Sequence, residues 1–279
     1  MQATVGGGVE LLEEPSVTDA PSLAITPLPM RPTVTLGPIG QPFLGSHLVS
    51  VVIPALNEAK NLPHVLPQIP SWVHEVILVD GQSTDGTAEI ARALWPGVRL
   101  VAQEGRGKGA ALRSGFAAAT GDIIVMLDAD GSTNPREIPA FVGMLLAGAD
   151  FAKGTRFVQG GGTADISILR WLGNKLFTLL ARLLFKSRYS DLCYGYNAFW
   201  SRVLDRIHLD GDGFEIETMI NLRVLRAGLK VMEVPSFEAE RIYGVSRLRA
   251  LPDGWRVLKT IWREWHASTV AMAKERPAW

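Results

Sequence analysis

Residues 121–130 read GDIIVMLDAD. An unbroken apolar run, Ile123 to Leu127, ends on two aspartates one residue apart, Asp128 and Asp130. A short continuous apolar run is the pattern of a strand covered on both faces, as in a parallel sheet. Residues 48–54 (LVSVVIP), 75–80 (EVILVD) and 98–102 (VRLVA) repeat it upstream, and helical stretches at 62–66, 87–94 and 108–119 lie between them. Strand alternating with helix predicts an α/β fold: a mostly parallel central sheet flanked by helices, with ligands at the carboxyl ends of the strands.

Beyond Asp130 the spacing predicts a helix at 135–147, a short strand at 150–155 and a long helix at 167–185. Strands at 196–200 and 231–237 then flank a helix at 215–227, and a last helix covers 252–273. The first 46 residues hold seven Pro, six Gly and a single aromatic, Phe43, too little apolar surface to offset the entropy of ordering them. The expected organisation is a flexible arm over 1–46, one catalytic-sized domain over 47–250 and an amphipathic C-terminal helix over 251–279. Lys plus Arg (28) equals Asp plus Glu (28), so no global positive field exists to bind nucleic acid. A single cysteine, Cys193, excludes a disulfide framework and a Cys-rich zinc site, and fits a reducing cytoplasm. Neither a signal peptide nor a membrane span is expected.

Three of the early strands end in polar or acidic residues: Asn57 and Glu58, Asp80, and Asp128. In a parallel sheet those ends line one crevice. Two carboxylates at one strand end, facing a diphosphate, need a cation between them, and hard oxygen ligands suit Mg²⁺ or Mn²⁺. Asp85, just ahead of the helix at 87–94, reads as its cap. The turn Gly105-Arg106-Gly107-Lys108-Gly109 opens a helix, so it is either an anion site of backbone N–H groups or a plain flexible entry. It is not a Walker loop, because Gly109 and not Ser or Thr follows Lys108.

Taken together, SVVIPALNE (50–58), VDGQSTDGT (79–87), GKGAALRSGF (107–116), GDIIVMLDAD (121–130), KGTRF (153–157), DLCYGYNAF (191–199) and RIYGVSRL (241–248) resemble family 2 glycosyltransferases of the GT-A fold. Within that family they are most similar to the polyprenyl-phosphate sugar synthases typified by dolichyl-phosphate mannose synthase. The resemblance implies that Pro54, Ala55, Asn57, Glu58 and Asp80 hold the nucleoside, with Lys108 and Ala129 nearby, and that Asp128 and Asp130 bind Mg²⁺ or Mn²⁺ on the donor diphosphate. It implies phosphate contacts for Arg156, Arg170, Arg241, Ser246 and Arg247. Gly81 stands where the family has a second Asp, Arg247 where a Lys is common, and Ser132 where a Gln often follows the metal motif. The implied reaction is inverting transfer of a hexose from UDP-glucose or GDP-mannose to a polyprenyl phosphate at the cytoplasmic face of the plasma membrane. A soluble acceptor, or nucleotide-sugar binding without turnover, are the alternatives.

Two further readings come from the residues themselves. The helix at 167–185 places Arg170, Asn174, Thr178, Arg182 and then Lys186 at four-residue steps, a polar stripe on an otherwise apolar helix. That is either a core helix with one solvated face or a helix lying in a membrane interface, and the Trp-rich C-terminal helix repeats the theme. Of the acids Asp191, Glu215 and Glu217, Asp191 is the best candidate for a catalytic base. A hydroxyl acceptor would need one; a phosphate acceptor, largely dianionic at neutral pH, would not.

Overall fold

The computed structural model describes residues 47–275. The arm expected over residues 1–46 lies outside them. In chain order the elements are β1 (Val49–Ala55), α1 (Leu62–Val65), β2 (Glu75–Asp80), α2 (Thr87–Leu94), β3 (Arg99–Ala102), α3 (Lys108–Ala118), β4 (Ile123–Met126), α4 (Ile138–Leu146), β5 (Phe151–Thr155), β6 (Gly162–Thr163) and α5 (Ile168–Phe185). They continue with β7 (Asn197–Trp200), α6 (Glu215–Arg226), β8 (Val231–Pro235), β9 (Phe237–Glu238) and α7 (Ala250–Glu275). The helix expected at 135–147 is a 3₁₀ turn, Pro135–Glu137, followed by α4. Pro135 and Pro139 explain the break, since a proline fits a first helical turn but not an interior.

Seven strands form one sheet in the order β3-β2-β1-β4-β7-β5-β8. All neighbours are parallel except β7, which runs antiparallel to both β4 and β5. The apolar runs of β1, β2 and β4 are buried throughout apart from the half-buried Pro54 and Asp80, as strands covered on both faces must be. Helix α3 lies close on this sheet because Gly115 faces Val52 and Val79, which any added side chain would strike. The small ribbon of β6 and β9 stands apart from the sheet.

Helix α5 departs from the solvated-stripe reading at its middle. Asn174 and Thr178 are buried, and their polar atoms hold the 189–193 loop: Asn174 Nδ2 donates to Asp191 (2.9 Å) and its Oδ1 accepts from Cys193 N (3.1 Å). Thr178 Oγ1 accepts from Leu192 N, and Arg182 Nε donates to the Tyr189 carbonyl. The middle of the polar stripe, Asn174 and Thr178, therefore points inward and satisfies the loop, while Arg170 is half-buried and Arg182 and Lys186 stay exposed. The outward face carries Ile168 (80% exposed), Leu169, Leu172, Leu176, Leu179 and Leu183 (69%). Helix α7 packs on α5 and α6 through Val257 and Ile261, and leaves Leu251, Trp255 and Trp262 outside. Among the described residues no helix is long and apolar enough to cross a membrane.

Candidate active site

The carboxyl ends of β1 and β4 open into a cleft of about 540 Å³. Pro54, Ala55, Leu56 and Glu58 form one wall, and Asp128, Ala129, Asp130 and Ser132 another. The segment after β9, with Arg241, Ser246 and Arg247, lies across the top, and Arg156, Asp165 and Arg170 close the far side. A volume of this size matches a small-molecule site.

Both aspartates of the D-x-D element face protein cations. Asp128 pairs with Lys108 Nζ at 2.6 Å, and the same ammonium lies 2.6 Å from Glu217. Burial works against the Lys108 charge, but the two carboxylates outweigh it and hold its pKa above the ordinary lysine range. Burial raises the pKa of Glu217, with Asp128 adding to the rise and Lys108 opposing it. Asp130 Oδ1 accepts from the Ser132 N–H (3.0 Å) and hydroxyl (2.7 Å), while Oδ2 pairs with Arg241 at 3.1 Å. Arg241 also meets both Glu58 oxygens, at 2.9 and 3.0 Å. The segment carrying Arg241 is fastened by backbone bonds from Ala239 to Ser132 and from Ile242 to Asp130, and by Asn61 on both polar groups of Tyr243. Gly131, at φ +81, leaves the space that Ile242 occupies.

Of the residues implied by sequence, Pro54, Ala55, Glu58, Lys108, Asp128, Ala129, Asp130, Arg156, Arg170, Arg241, Ser246 and Arg247 share the cleft. Asn57, Asp80 and Asp191 do not form its wall. Asn57 sits at φ +57 and bonds Ser83 and Thr84, and the Asp80 carboxylate accepts from Ser83 N, so both shape the 80–84 turn from behind. Asp191, expected as a base, is fully buried with Arg156 Nε at 2.7 Å, Nη2 at 3.0 Å and Asn174 at 2.9 Å. Burial alone would raise its pKa, but the Arg156 bonds and charge hold it below the ordinary range. A carboxylate in that state orients Arg156 and has no access to an acceptor proton. Arg156 in turn spends a third bond on Glu238 (2.9 Å), so little of its charge is free.

The Gly105–Gly109 turn keeps Gly107 and Lys108 on the cleft wall but has fewer N–H groups for an anion than the sequence implied. The Gly109 and Ala110 N–H groups at the start of α3 donate to the Asp212 carbonyl, at 2.8 and 3.3 Å. Gly107 and Gly109 are needed because the 211–213 backbone passes against them. The cap position of α2 is Gly86, and Asp85 one residue earlier accepts from the N–H and hydroxyl of Thr87, the first helical residue, and from Ala59 N.

The sequence reading passed over Gln103, Asp165, Glu238 and Glu240, and ranked Glu217 below Asp191 as a base; Gln103, Asp165, Glu217, Glu238 and Glu240 are all on the cleft wall. Only Glu217 left a signal: with Asn221 four residues on, it is a polar pair buried on α6, as Asn174 and Thr178 are on α5. A side chain at Gly195 would strike Glu217 Oε1, so the glycine of YGY admits this carboxylate to the site.

Residues 50–207 match the profile of Glycosyl transferase family 2. The chain belongs to that family. This glycosyltransferase is 33% identical over 216 residues to polyprenol monophosphomannose synthase of Mycolicibacterium smegmatis, covering 71% of this chain and 80% of the relative. It is 31% identical over 210 residues to dolichol-phosphate mannosyltransferase of Pyrococcus furiosus, covering 72% of this chain and 59% of that longer protein. Among solved structures it is similar to glucosyl-3-phosphoglycerate synthase from Mycobacterium tuberculosis in complex with Mn²⁺, UDP and glucosyl-3-phosphoglycerate. That likeness has TM-score 0.63 and 26% identity, over 80% of this chain and 81% of the other. The architecture is the GT-A glycosyltransferase fold.

Proposed function

We propose that this enzyme transfers a hexose from a nucleoside diphosphate sugar, UDP-glucose or GDP-mannose, to a polyprenyl phosphate, with inversion, while resting on the cytoplasmic face of the plasma membrane. The observation that carries the acceptor class is α5. Its Arg170 lines the cleft, while its neighbours Ile168, Leu169 and Leu172 lie exposed on the same two turns. A phosphate headed for the cleft on an apolar chain lying along that face satisfies both features. The Mycolicibacterium and Pyrococcus relatives, named for polyprenol and dolichol phosphate, support the same class.

Asp128 and Asp130 fit a divalent ion: two hard carboxylates share one cleft wall, and each already faces a positive charge. Among the described residues no cluster of three or more His, Cys, Asp or Glu forms a full cage, which suits Mg²⁺ or Mn²⁺ completed by diphosphate and water. The Mn²⁺ and UDP complex of the Mycobacterium synthase supports this assignment. When bound, the ion supplies charge stabilisation to the departing nucleoside diphosphate. Pro54, Ala55, Glu58, Lys108 and Ala129 face the donor, and Asn57 and Asp80 hold the turn behind it. Among the described residues Arg247 is the cleft arginine without a carboxylate partner, its Nη2 on the Leu56 carbonyl at 3.3 Å. With Ser246 and Arg170 it receives phosphate, and Arg156 shapes the pocket through Asp191 and Glu238. The acceptor phosphate oxygen attacks the anomeric carbon opposite the leaving diphosphate, which inverts the centre and needs no base.

The test is a screen of nucleotide sugars with Mn²⁺, offering a short polyprenyl phosphate or 3-phosphoglycerate, and reading released nucleotide. Release that depends on the lipid phosphate is expected. Release with 3-phosphoglycerate alone would transfer the reading to a soluble acceptor. Nucleotide binding without release under any acceptor would leave a non-catalytic binder.

A further inference from the structure

The ion pairs around the two aspartates form the same arrangement twice. Lys108 stands between Asp128 and Glu217, 2.6 Å from each. Arg241 stands between Asp130, at 3.1 Å, and Glu58, at 2.9 Å. Each aspartate of the D-x-D element thus shares one cation with a glutamate that lies on the cleft wall but outside that element. Both glutamates are well shielded, with side chains 9% exposed.

A divalent ion arriving between Asp128 and Asp130 meets an ammonium and a guanidinium in the space its own charge must fill. Each cation needs a carboxylate at its new position, because an unpaired buried charge is costly. Glu217 and Glu58 are already in contact with Lys108 and Arg241, so neither cation has to cross water to find a partner. The sequence builds one of these receivers deliberately, since Gly195 alone leaves room for the Glu217 carboxylate.

We propose that Lys108 and Arg241 are resident stand-ins for the metal, and that Glu217 and Glu58 are positioning residues that take these cations over when the metal binds. The proposal rests on the metal assignment made above and extends it to the residues that set the ion's affinity. Glu217 acts through Lys108, and Glu58 through Arg241; neither is a metal ligand.

The experiment is a double-mutant cycle on Mn²⁺ binding to the full chain, read without turnover by electron paramagnetic resonance of free Mn²⁺. Glu217→Gln should weaken Mn²⁺ about tenfold, because Lys108 then belongs to Asp128 alone; close charge pairs commonly couple at this level. Lys108→Met should tighten Mn²⁺ by a similar factor. The decisive result is the double variant, in which Glu217→Gln should have lost its effect and the affinity should match Lys108→Met within about twofold. A simple field effect of two charges would instead add, and additive values overturn the proposal. Should the Glu217 variants fail to fold by circular dichroism, Glu58→Gln and Arg241→Met, on the other aspartate, supply the same cycle with the same expectation. Wild-type protein that binds no Mn²⁺, with or without UDP and GDP, overturns the metal assignment and the inference together. Mn²⁺ binding with additive cycles overturns the inference alone.

Discussion

At Asp128 and Asp130 the two side chains differ in what holds them. Asp130 is fixed by two bonds from Ser132 as well as by Arg241, whereas the Asp128 carboxylate leans on Lys108, and only its backbone N–H donates to Thr133. Either change to Ala should cut transfer by two or more orders of magnitude, since several kcal/mol of leaving-group stabilisation are lost. Circular dichroism and melting should stay near wild type, because both side chains sit on the cleft wall and not in the core. Steady-state kinetics with varied Mn²⁺ checks this, and full activity of both variants in EDTA would sink the metal reading. Arg170→Ala belongs to the same scale. Arg170 holds Asp165 at 3.1 Å and faces the cleft, so losing its charge-assisted bond to an acceptor phosphate, about 1.5 to 3 kcal/mol, should weaken the acceptor roughly tenfold to a hundredfold. The donor constant should be unchanged; equal losses for both substrates would remove Arg170 from the acceptor side. Asp128 was legible at sequence level because its strand was. Asp191 was misread because its buried partner Arg156 is 35 residues away, and a motif position does not tell a base from a buried counter-ion.

At the scale of elements, Glu75 at the start of β2 joins three strands and a turn. Its carboxylate accepts from Ser50 on β1 (2.6 Å), Arg99 on β3 (2.5 Å) and the N–H and hydroxyl of Thr120 (both 2.7 Å). Burial alone would raise its pKa, and these bonds more than reverse that, bringing it to about 2. A depressed carboxylate contributes stability that is present above its unfolded pKa of about 4.5 and is lost as pH falls through about 2. Glu75→Gln should therefore lose about 2 to 3 kcal/mol at pH 7. The gap to wild type should close between pH 4.5 and 2, as urea denaturation at a series of pH values would show; a gap independent of pH would mean the loss is not electrostatic. The parallel strands β1, β2 and β4 were legible because burial on both faces leaves an unbroken apolar run. The direction of β7 was not, since NAFW (197–200) reads the same either way and pairing with β4 and β5 decides it. Helix α5 shows the limit of a stripe: Asn174 and Thr178 looked like a wet edge, yet they serve the backbone of the 189–193 loop. If its outward leucines meet a bilayer, replacing Leu172, Leu179 and Leu183 with Ser should cost about 1 kcal/mol each, or roughly a hundredfold in vesicle affinity. Melting should not change, because these side chains are half or more exposed. Unaltered sedimentation with anionic vesicles would rule the face out as a membrane contact.

Across the whole molecule, the cleft is closed by contacts that sequence spacing cannot express. Arg241 reaches Glu58 across 183 positions, and Asn61 reaches Tyr243 across 182. The loop after β1 and the segment after β9 are thus joined over the aspartates, so a ligand seated between them links distant parts of the chain. Such a ligand binds the folded state alone and should raise stability by about 2.7 kcal/mol at a hundred times its dissociation constant. For a domain of this size each kcal/mol moves the midpoint by roughly 2 to 4 °C. Mn²⁺ with the correct nucleoside diphosphate should therefore raise the melting temperature by about 5 to 10 °C, and only one of UDP and GDP should do so fully. EDTA should abolish most of the gain, because the nucleotide's diphosphate would then face Asp128 and Asp130 with no ion between them. If either nucleotide stabilised the protein equally well in EDTA, Lys108 and Arg241 would be neutralising the diphosphate themselves, and the catalytic ion would have to be struck from the mechanism.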